Sequence, residues 1–427
     1  MLKGLENLTP ETARSSALNS FWTFPSMVLS ALVIAWGAES AQFLVSQAFA
    51  LTMLAFIQTL PEFAVEGFIA WNAGKFPTAA NIGLMTANFT GALRLLVGLG
   101  WPLIFTTTVI FNLKRNHRFK IAQIELEGEH AVELFGLLAG SLYAFIIVIK
   151  GTLNLFDTVF LLALYGAYIT ILIQLPARGE EKIEELEFVP RYILTRKPII
   201  RNSLIWLCFI GGGAGIILVA GPFLESALGL SMILGVPAFI LIQWLAPFLS
   251  EFPEKISAFY WAKSIVKAPM ALMNMVSSGI AELTLLIAII PVVFCISLGR
   301  IEAINFDWAH RAEIMLTATQ GILGFFLLSN MNFKWYEAAG LFFLWSTQII
   351  FQIDASQIAL PVVGSQEFQT LIWDRLHVQV LTKYTIVYWI WILIQVISLL
   401  IIYKRLPVIY ELKKAWATHR IGVGAKP

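Results

Sequence analysis

The sequence is short of charge. Asp, Glu, Lys and Arg make up 13% of its 427 residues, against 58% hydrophobic residues, a balance that excludes an ordinary soluble domain. Cysteine is nearly absent. Cys208 and Cys295 each lie inside an apolar run and read as buried thiols, which leaves no disulfide framework and no thiolate metal cluster. The five histidines, His117, His130, His310, His377 and His419, are assigned to loops or the tail. With no H-E-x-x-H and no nucleophile motif, neither an enzyme nor a cofactor is expected. The net charge of +2 predicts no nucleic-acid partner. The first 20 residues, with Lys3, Glu6, Glu11 and Arg14, carry no signal-peptide pattern.

What remains is apolar sequence in lengths that cross a bilayer, for which about 20 residues suffice. Eleven spans are predicted, at 25–46, 47–72, 78–112, 133–150, 153–175, 200–226, 231–262, 268–298, 313–331, 335–352 and 379–403. The third and eighth are long enough to tilt or to project beyond the hydrocarbon. Basic residues gather in the loop 113–132 (Lys114, Arg115, Arg118, Lys120) and around the loop 176–199 (Arg178, Lys182, Arg191, Arg196, Lys197, Arg201). A third group lies in the tail (Lys404, Arg405, Lys413, Lys414, Arg420, Lys426). With eleven spans these clusters share one side. The positive-inside rule then predicts the N-terminus outside and the C-terminus inside, in the cell (inner) membrane. Residues 180–194, EEKIEELEFVPRYIL, suit a short amphipathic surface helix, or, in their first half, a charged linker.

Two stretches break the apolar pattern in the same way. FIQTLPEFAVEGFIAWNAGKFPTAANIGLMTANFTGALRLLVGLG (56–100) and FLSEFPEKISAFYWAKSIVKAPMALMNMVSSGIAELTLLIAII (248–290) share an order. Each has a Pro-Glu pair, a Lys-containing turn, and a helix with a hydroxyl-Gly pair, Thr90-Gly91 and Ser278-Gly279. The odd number of spans between the copies inverts the second. Inverted repeats with Pro-interrupted helices point to a secondary transporter whose site lies at the midplane.

Pro61 and Pro253 are expected to free the carbonyls of Ile57 and Leu249 inside continuous helices. A free carbonyl near a carboxylate is part of a hard-cation site. Glu62 and Glu254 would then meet across the repeat axis, where two carboxylates in one low-dielectric site need a cation or a proton. Thr59 precedes Glu62 by three residues, and Ser250 and Glu251 precede Glu254 by four and three. Thr86 and Thr90 follow Glu62 by 24 and 28 residues, as Ser278 and Glu282 follow Glu254, so each couple shares a helix face. Back-bonding to their own helix is the competing reading for the hydroxyls. Asn81, Asn88 and Asn274 are the weaker candidates.

These motifs resemble the α-repeats of the sodium/calcium exchanger membrane region, in the calcium/cation antiporter superfamily. The family core G-T-S-L-P-E appears as TLPE (59–62) and as EFPE (251–254). The later G-N stands as Ala80-Asn81 and Met273-Asn274, and the small-residue motif as Ser277-Ser278-Gly279. The core glycine and threonine are replaced by Ile57 and Gln58, and by Leu249 and Ser250; Lys255, Glu66 and Glu251 are additional. The resemblance implies an all-α polytopic membrane protein of two inverted five-helix repeats plus an extra C-terminal transmembrane helix. In this layout a polar segment (1–24) precedes the first repeat (25–175, α-repeat 47–112). A cytoplasmic loop (176–199) leads to the second repeat (200–352, α-repeat 231–298), and residues 353–427 hold a loop, the extra helix and a basic tail.

The resemblance implies exchange of Ca2+ or a related cation against H+ or Na+. Glu62 and Glu254 would be the metal ligands, with Thr59, Ser250, Thr86, Thr90, Ser278 and Glu282 lining the path. The partners would be inorganic cations and the lipid bilayer. The alternative is a degenerate transporter acting as a membrane binding or sensory protein. Glu66, Arg94 and Glu251 are charge-modulating positions. Arg94 is expected to pair with Glu66 or Glu282, in space a Na+ ion would take, which would weaken Na+ coupling. The first and sixth spans are expected to rock against the repeat core, with Gly37 and Gly221 as flexible points.

Overall fold

A computed structural model describes residues 10–44, 59–116, 123–174, 183, 186–359, 366–402 and 406–414. It is built almost wholly from helices. The first half holds α1 (Pro10–Leu18), α2 (Ser20–Ala41), α3 (Leu60–Lys75), α4 (Ala79–Leu95), α5 (Trp101–Asn116), α6 (Ala131–Lys150) and α7 (Leu155–Ile173). The second holds α8 (Phe188–Leu194), α9 (Pro198–Leu234), α10 (Ala238–Ser250), α11 (Phe252–Ala262), α12 (Ala268–Ala281) and α13 (Ile287–Leu298). Then follow α14 (Trp308–Leu328), α15 (Trp335–Ala359) and α16 (Gln366–Ile402).

Among the described residues, nine helical segments are long and apolar enough to cross a membrane. The two longest of the repeat cores, Ala79–Lys114 and Ala268–Leu298, are each one crossing with a single π-helical stretch, Leu96–Gly100 and Glu282–Leu286. Such wide turns recur at functional sites because they re-aim the side chains around them. Large apolar side chains such as Ile149, Phe156, Leu218 and Ile401 face outward, as lipid-facing surface requires.

Several expectations need correction. The span 231–262 is two helices, and the extra helix begins at Gln366 rather than at 379. The amphipathic segment is helical over Phe188–Leu194; residues 180–182, 184 and 185 lie outside the described residues. So do Ile57 and Gln58, the start of the second span, the basic residues Arg118, Lys120, Arg178, Lys182, Lys404, Arg405, Arg420 and Lys426, and His117 and His419. The prolines do not sit mid-helix. Pro61 and Pro253 stand in the first turns of α3 and α11, where the missing N–H has no partner to lose. In the second repeat the chain breaks at Glu251 (φ −90, ψ 6) between α10 and α11. Leu249 lies in the last turn before that break.

The two repeats interlock. α3 of the first packs on α13 of the second, α10 packs on α4, and α11 on α5. Gly91 makes one of these crossings close: a methyl group there would overlap the Gln243 carbonyl oxygen on α10. α2 and α9 run together, with Thr23 Oγ1 donating to Ser226 Oγ at 3.1 Å. Gly37 and Gly221 lie inside uninterrupted helices, and a Cβ on Gly37 would stand 2.9 Å from Cys208 Cβ. Gly221 is followed by Pro222 within its helix, and a Cβ on Gly221 would stand 3.2 Å from the Phe68 ring.

Short antiparallel pairs mark the two ends of the bundle. β1 (Gln123–Glu125) pairs with β4 (Asn332–Lys334), and β2 (Thr152–Leu153) pairs with β3 (Ile304–Asn305). The Val408 amide donates to the Ser329 carbonyl at 3.1 Å. The start of the tail therefore shares a face with β1 and β4, on the side where the basic loops were expected to gather.

Gly91→Ala should destabilise the protein by about 1–3 kcal/mol or more, because neither backbone at the crossing can give. Gly67→Ala, which meets nothing within 4 Å, should be neutral or slightly stabilising. Thermal unfolding of the purified variants checks both.

Candidate cation site

Glu62 and Glu254 occupy the first turns of α3 and α11, where the helix dipole favours a carboxylate. Both are buried, 2% and 1% exposed. Ser250, the last residue of α10, donates its hydroxyl to Glu62 Oε2 across the repeat boundary. Asn88 Nδ2 donates to Glu62 Oε1 at 3.0 Å and to Glu66 Oε2 at 2.8 Å. In the second repeat the donor comes from the same repeat: Ser278 donates its hydroxyl to Glu254 Oε1, with Asn274 Nδ2 at 3.5 Å from the same oxygen.

Two more acids close the ring. Glu251 sits at the helix break and Glu282 opens the π-helical stretch of the second repeat; both are buried. Glu282 feels the charges of Glu251, Glu62 and Glu254. One cation is present, Lys255, whose ammonium pairs with Glu251 Oε2 one turn away. Glu66 Oε1, Glu251 Oε1, Glu282 Oε2 and Asn88 Oδ1 are buried and make no hydrogen bond within the described protein. These are hard oxygen donors of the kind Ca2+ prefers. Among the described residues, no three acidic, His or Cys side chains form a metal-holding group. Thr59 is buried at the mouth of α3.

The threonines fall elsewhere. Thr86 donates to the Ile82 carbonyl at 3.0 Å and Thr90 to the Thr86 carbonyl at 2.6 Å, the back-bonding typical of hydroxyls in membrane helices. Asn88, two residues from each, is the side chain that reaches the carboxylates. The sequence offered it only as a weaker candidate beside the 24/28 pair.

Arg94 pairs with neither Glu66 nor Glu282. Its guanidinium meets the Glu313 carboxylate, donates to the Glu313 carbonyl at 2.6 Å and to Thr317 Oγ1 at 2.9 Å. His377 Nε2 lies 2.5 Å from the other Glu313 oxygen. Gln243 Nε2 donates to Glu313 Oε2 at 2.9 Å and reaches Thr90 Oγ1 at 3.3 Å. This network ties α4, α10, α14 and the extra helix α16 together, and it removes the premise that Arg94 fills a Na+ position. His377 and His310 are thus in helices, not in loops. Glu313 and His377 escaped notice because both sit at span edges, beside Arg311 and beside Asp374 and Arg375.

Glu313 and His377 of this network line a cavity of about 380 Å³ between the ends of α4, α9, α10, α14 and α16, with Asp307 and Asp374 also lining it. Burial alone would raise the Asp307 carboxyl. The nearby His310 ring, 3.0 Å away, and the hydrogen bond from the His310 amide at 2.9 Å outweigh this and hold it below the usual carboxylate range.

The family profile described as sodium/calcium exchanger protein matches residues 23–174 and 204–353, one stretch per repeat. No curated protein matches the chain. Among solved structures, the crystal structure of an H+/Ca2+ exchanger, CAX, matches with a TM-score of 0.76 and 26% identity, over 99% of this chain and 94% of that one. The sodium-calcium exchanger NCX_Mj, soaked with Na+ and Sr2+, matches with a TM-score of 0.51 and 17% identity, over 80% of this chain and 99% of that one. The second likeness is one of fold alone.

Arg94→Met should cost about 3–5 kcal/mol, the penalty for leaving a buried charge without its main partner. Adding Glu313→Met should recover most of it. A double-mutant cycle by thermal unfolding measures the coupling.

Proposed function

The chain belongs to the sodium/calcium exchanger family, and from that premise we propose that it exchanges Ca2+ or a related divalent cation against protons by alternating access. Cation antiport is what the family does; it is a transporter and not an enzyme. The choice of cations is our reading. The observation that carries it is the paired geometry: Glu62 takes a hydroxyl from Ser250 of the other repeat, and Glu254 one from Ser278, at two matched helix starts. Each carboxylate can exchange its hydroxyl and amide partners for a cation, and each can carry a proton when the cation leaves. The likeness to the H+/Ca2+ exchanger over 99% of this chain supports protons as the counter-ion.

For access, we assign the moving part to the α2–α9 pair, which packs as one ribbon. Glu39 of α2 accepts a hydrogen bond from Ser257 Oγ of α11 at 2.8 Å, so a shift of α2 is felt one turn from Glu254. We place the N-terminus outside and the C-terminus inside on the basic-loop asymmetry.

In liposomes, Ca2+ uptake should follow an imposed pH gradient and be little changed by a Na+ gradient. Glu62→Gln and Glu254→Gln keep shape and remove charge; each should bring uptake to background, a fall of at least tenfold, while the protein purifies and melts normally. Uptake that survives either substitution overturns the ligand assignment. A wild type that binds Ca2+ but moves no cation under any gradient would favour a binding or sensory role.

A further inference from the structure

The acid ring of the site holds one basic side chain that the exchange reaction does not need. Lys255 is 6% exposed and its ammonium pairs with Glu251, the residue at the helix break. Its charge also reaches Glu62, Glu254 and Glu282. The fold does not require this pair. In the first repeat the positions equivalent to Glu251 and Lys255 are Thr59 and Phe63, and α3 opens there in the same way as α11, with its proline in the first turn and its glutamate behind it.

We propose that Lys255 is a tethered competitor for the transported cation, an affinity-determining residue that keeps the divalent ion weakly enough held to leave. This deepens the antiport reading and rests on it. A lysine ammonium is a compact point charge on a flexible stem, and it bonds one carboxylate oxygen of Glu251 while leaving the other, Oε1, without a hydrogen bond. A divalent cation entering between Glu62, Glu254 and Glu282 must therefore share Glu251 with the ammonium and bear its repulsion. In a low-dielectric site that repulsion acts at nearly full strength. An ion path works only when binding is favourable enough for entry and weak enough for exit. Five buried carboxylates, Glu62, Glu66, Glu251, Glu254 and Glu282, would hold a divalent ion tightly without such a counterweight.

The test is calorimetric Ca2+ binding to the purified full chain at pH 8.5 without Na+, where protons compete least. Lys255→Gln should bind Ca2+ at least tenfold more tightly than the wild type, about 1.4 kcal/mol, and turn over more slowly in liposomes. Lys255→Arg, which keeps the charge, should shift the affinity far less. Glu251→Gln, which leaves the ammonium unpaired beside the ion, should weaken binding at least tenfold. The double variant Glu251→Gln/Lys255→Gln should bind at least tenfold more tightly than Glu251→Gln alone, which decides the matter even if Lys255→Gln does not fold. Unchanged or weaker binding in Lys255→Gln, or a double variant no better than Glu251→Gln, overturns the proposal while leaving the antiport reading intact. A wild type that neither binds nor moves any divalent cation overturns both.

Discussion

Carboxylates buried at membrane depth must be compensated, and the rest of the molecule is arranged around that requirement. An ionised acid in hydrocarbon costs several kcal/mol unless a partner, a cation or a proton meets it. Here Glu62, Glu66, Glu251, Glu254 and Glu282 are all buried. Helix starts at α3 and α11 supply a favourable dipole, hydroxyls of Ser250 and Ser278 and the amide of Asn88 supply donors, and Lys255 supplies one positive charge. None of these neutralises the whole group. On the function proposed above, the remainder is what a transported cation and its counter-ion would exchange.

A second buried charge system stands apart from the first and does a different task. Arg94, Glu313 and His377 pair with one another and with Gln243 and Thr317, while Arg94 Nη1 makes no hydrogen bond within the described protein. A buried network of this kind fixes which helices are neighbours. It joins the N-terminal half of a repeat-core helix to α14 and to α16. The match to NCX_Mj covers nearly all of that chain and 80% of this one, whereas the match to CAX covers 99%. The added helix is therefore part of a shared architecture, and the Arg94 network is where the core holds it.

Much of this was legible in the sequence because two patterns coincide. Long apolar runs gave the crossings, and the doubled Pro-Glu order gave the inverted repeat and the two central acids. Ser278 lies where the spacing put it, on Glu254, whereas Ser250, paired with Glu254 by spacing, donates to Glu62 of the other repeat because the helix breaks at Glu251 between them. Spacing failed where rotamers decide. Thr86 and Thr90 have the matched offsets, yet a hydroxyl on a helix can satisfy itself on the preceding turn. The longer amide of Asn88 cannot do so as readily and reaches across. Proline was misread for a related reason: a Pro-Glu pair in an apolar run looks like a kink, while the chain starts a new helix at it. Arg94 was correctly read as needing an acid, but the acid lay 219 residues away in sequence, where no local pattern points.

The asymmetry between the repeats carries the last step. Perfect inversion would place identical chemistry on both halves and leave the inward and outward states alike. The second repeat instead adds Glu251, Lys255 and Glu282 where the first has Thr59, Phe63 and Thr90, and the first adds Glu66 where the second has Ala258. The acids of the second repeat come with a fixed positive charge; that of the first is met by the neutral amide of Asn88. An ion approaching from the two sides of the membrane thus meets unequal fields within one frame of near-equal helices. In the antiport mechanism proposed above, the repeated backbone would supply the two access states and the unmatched side chains would make them energetically different.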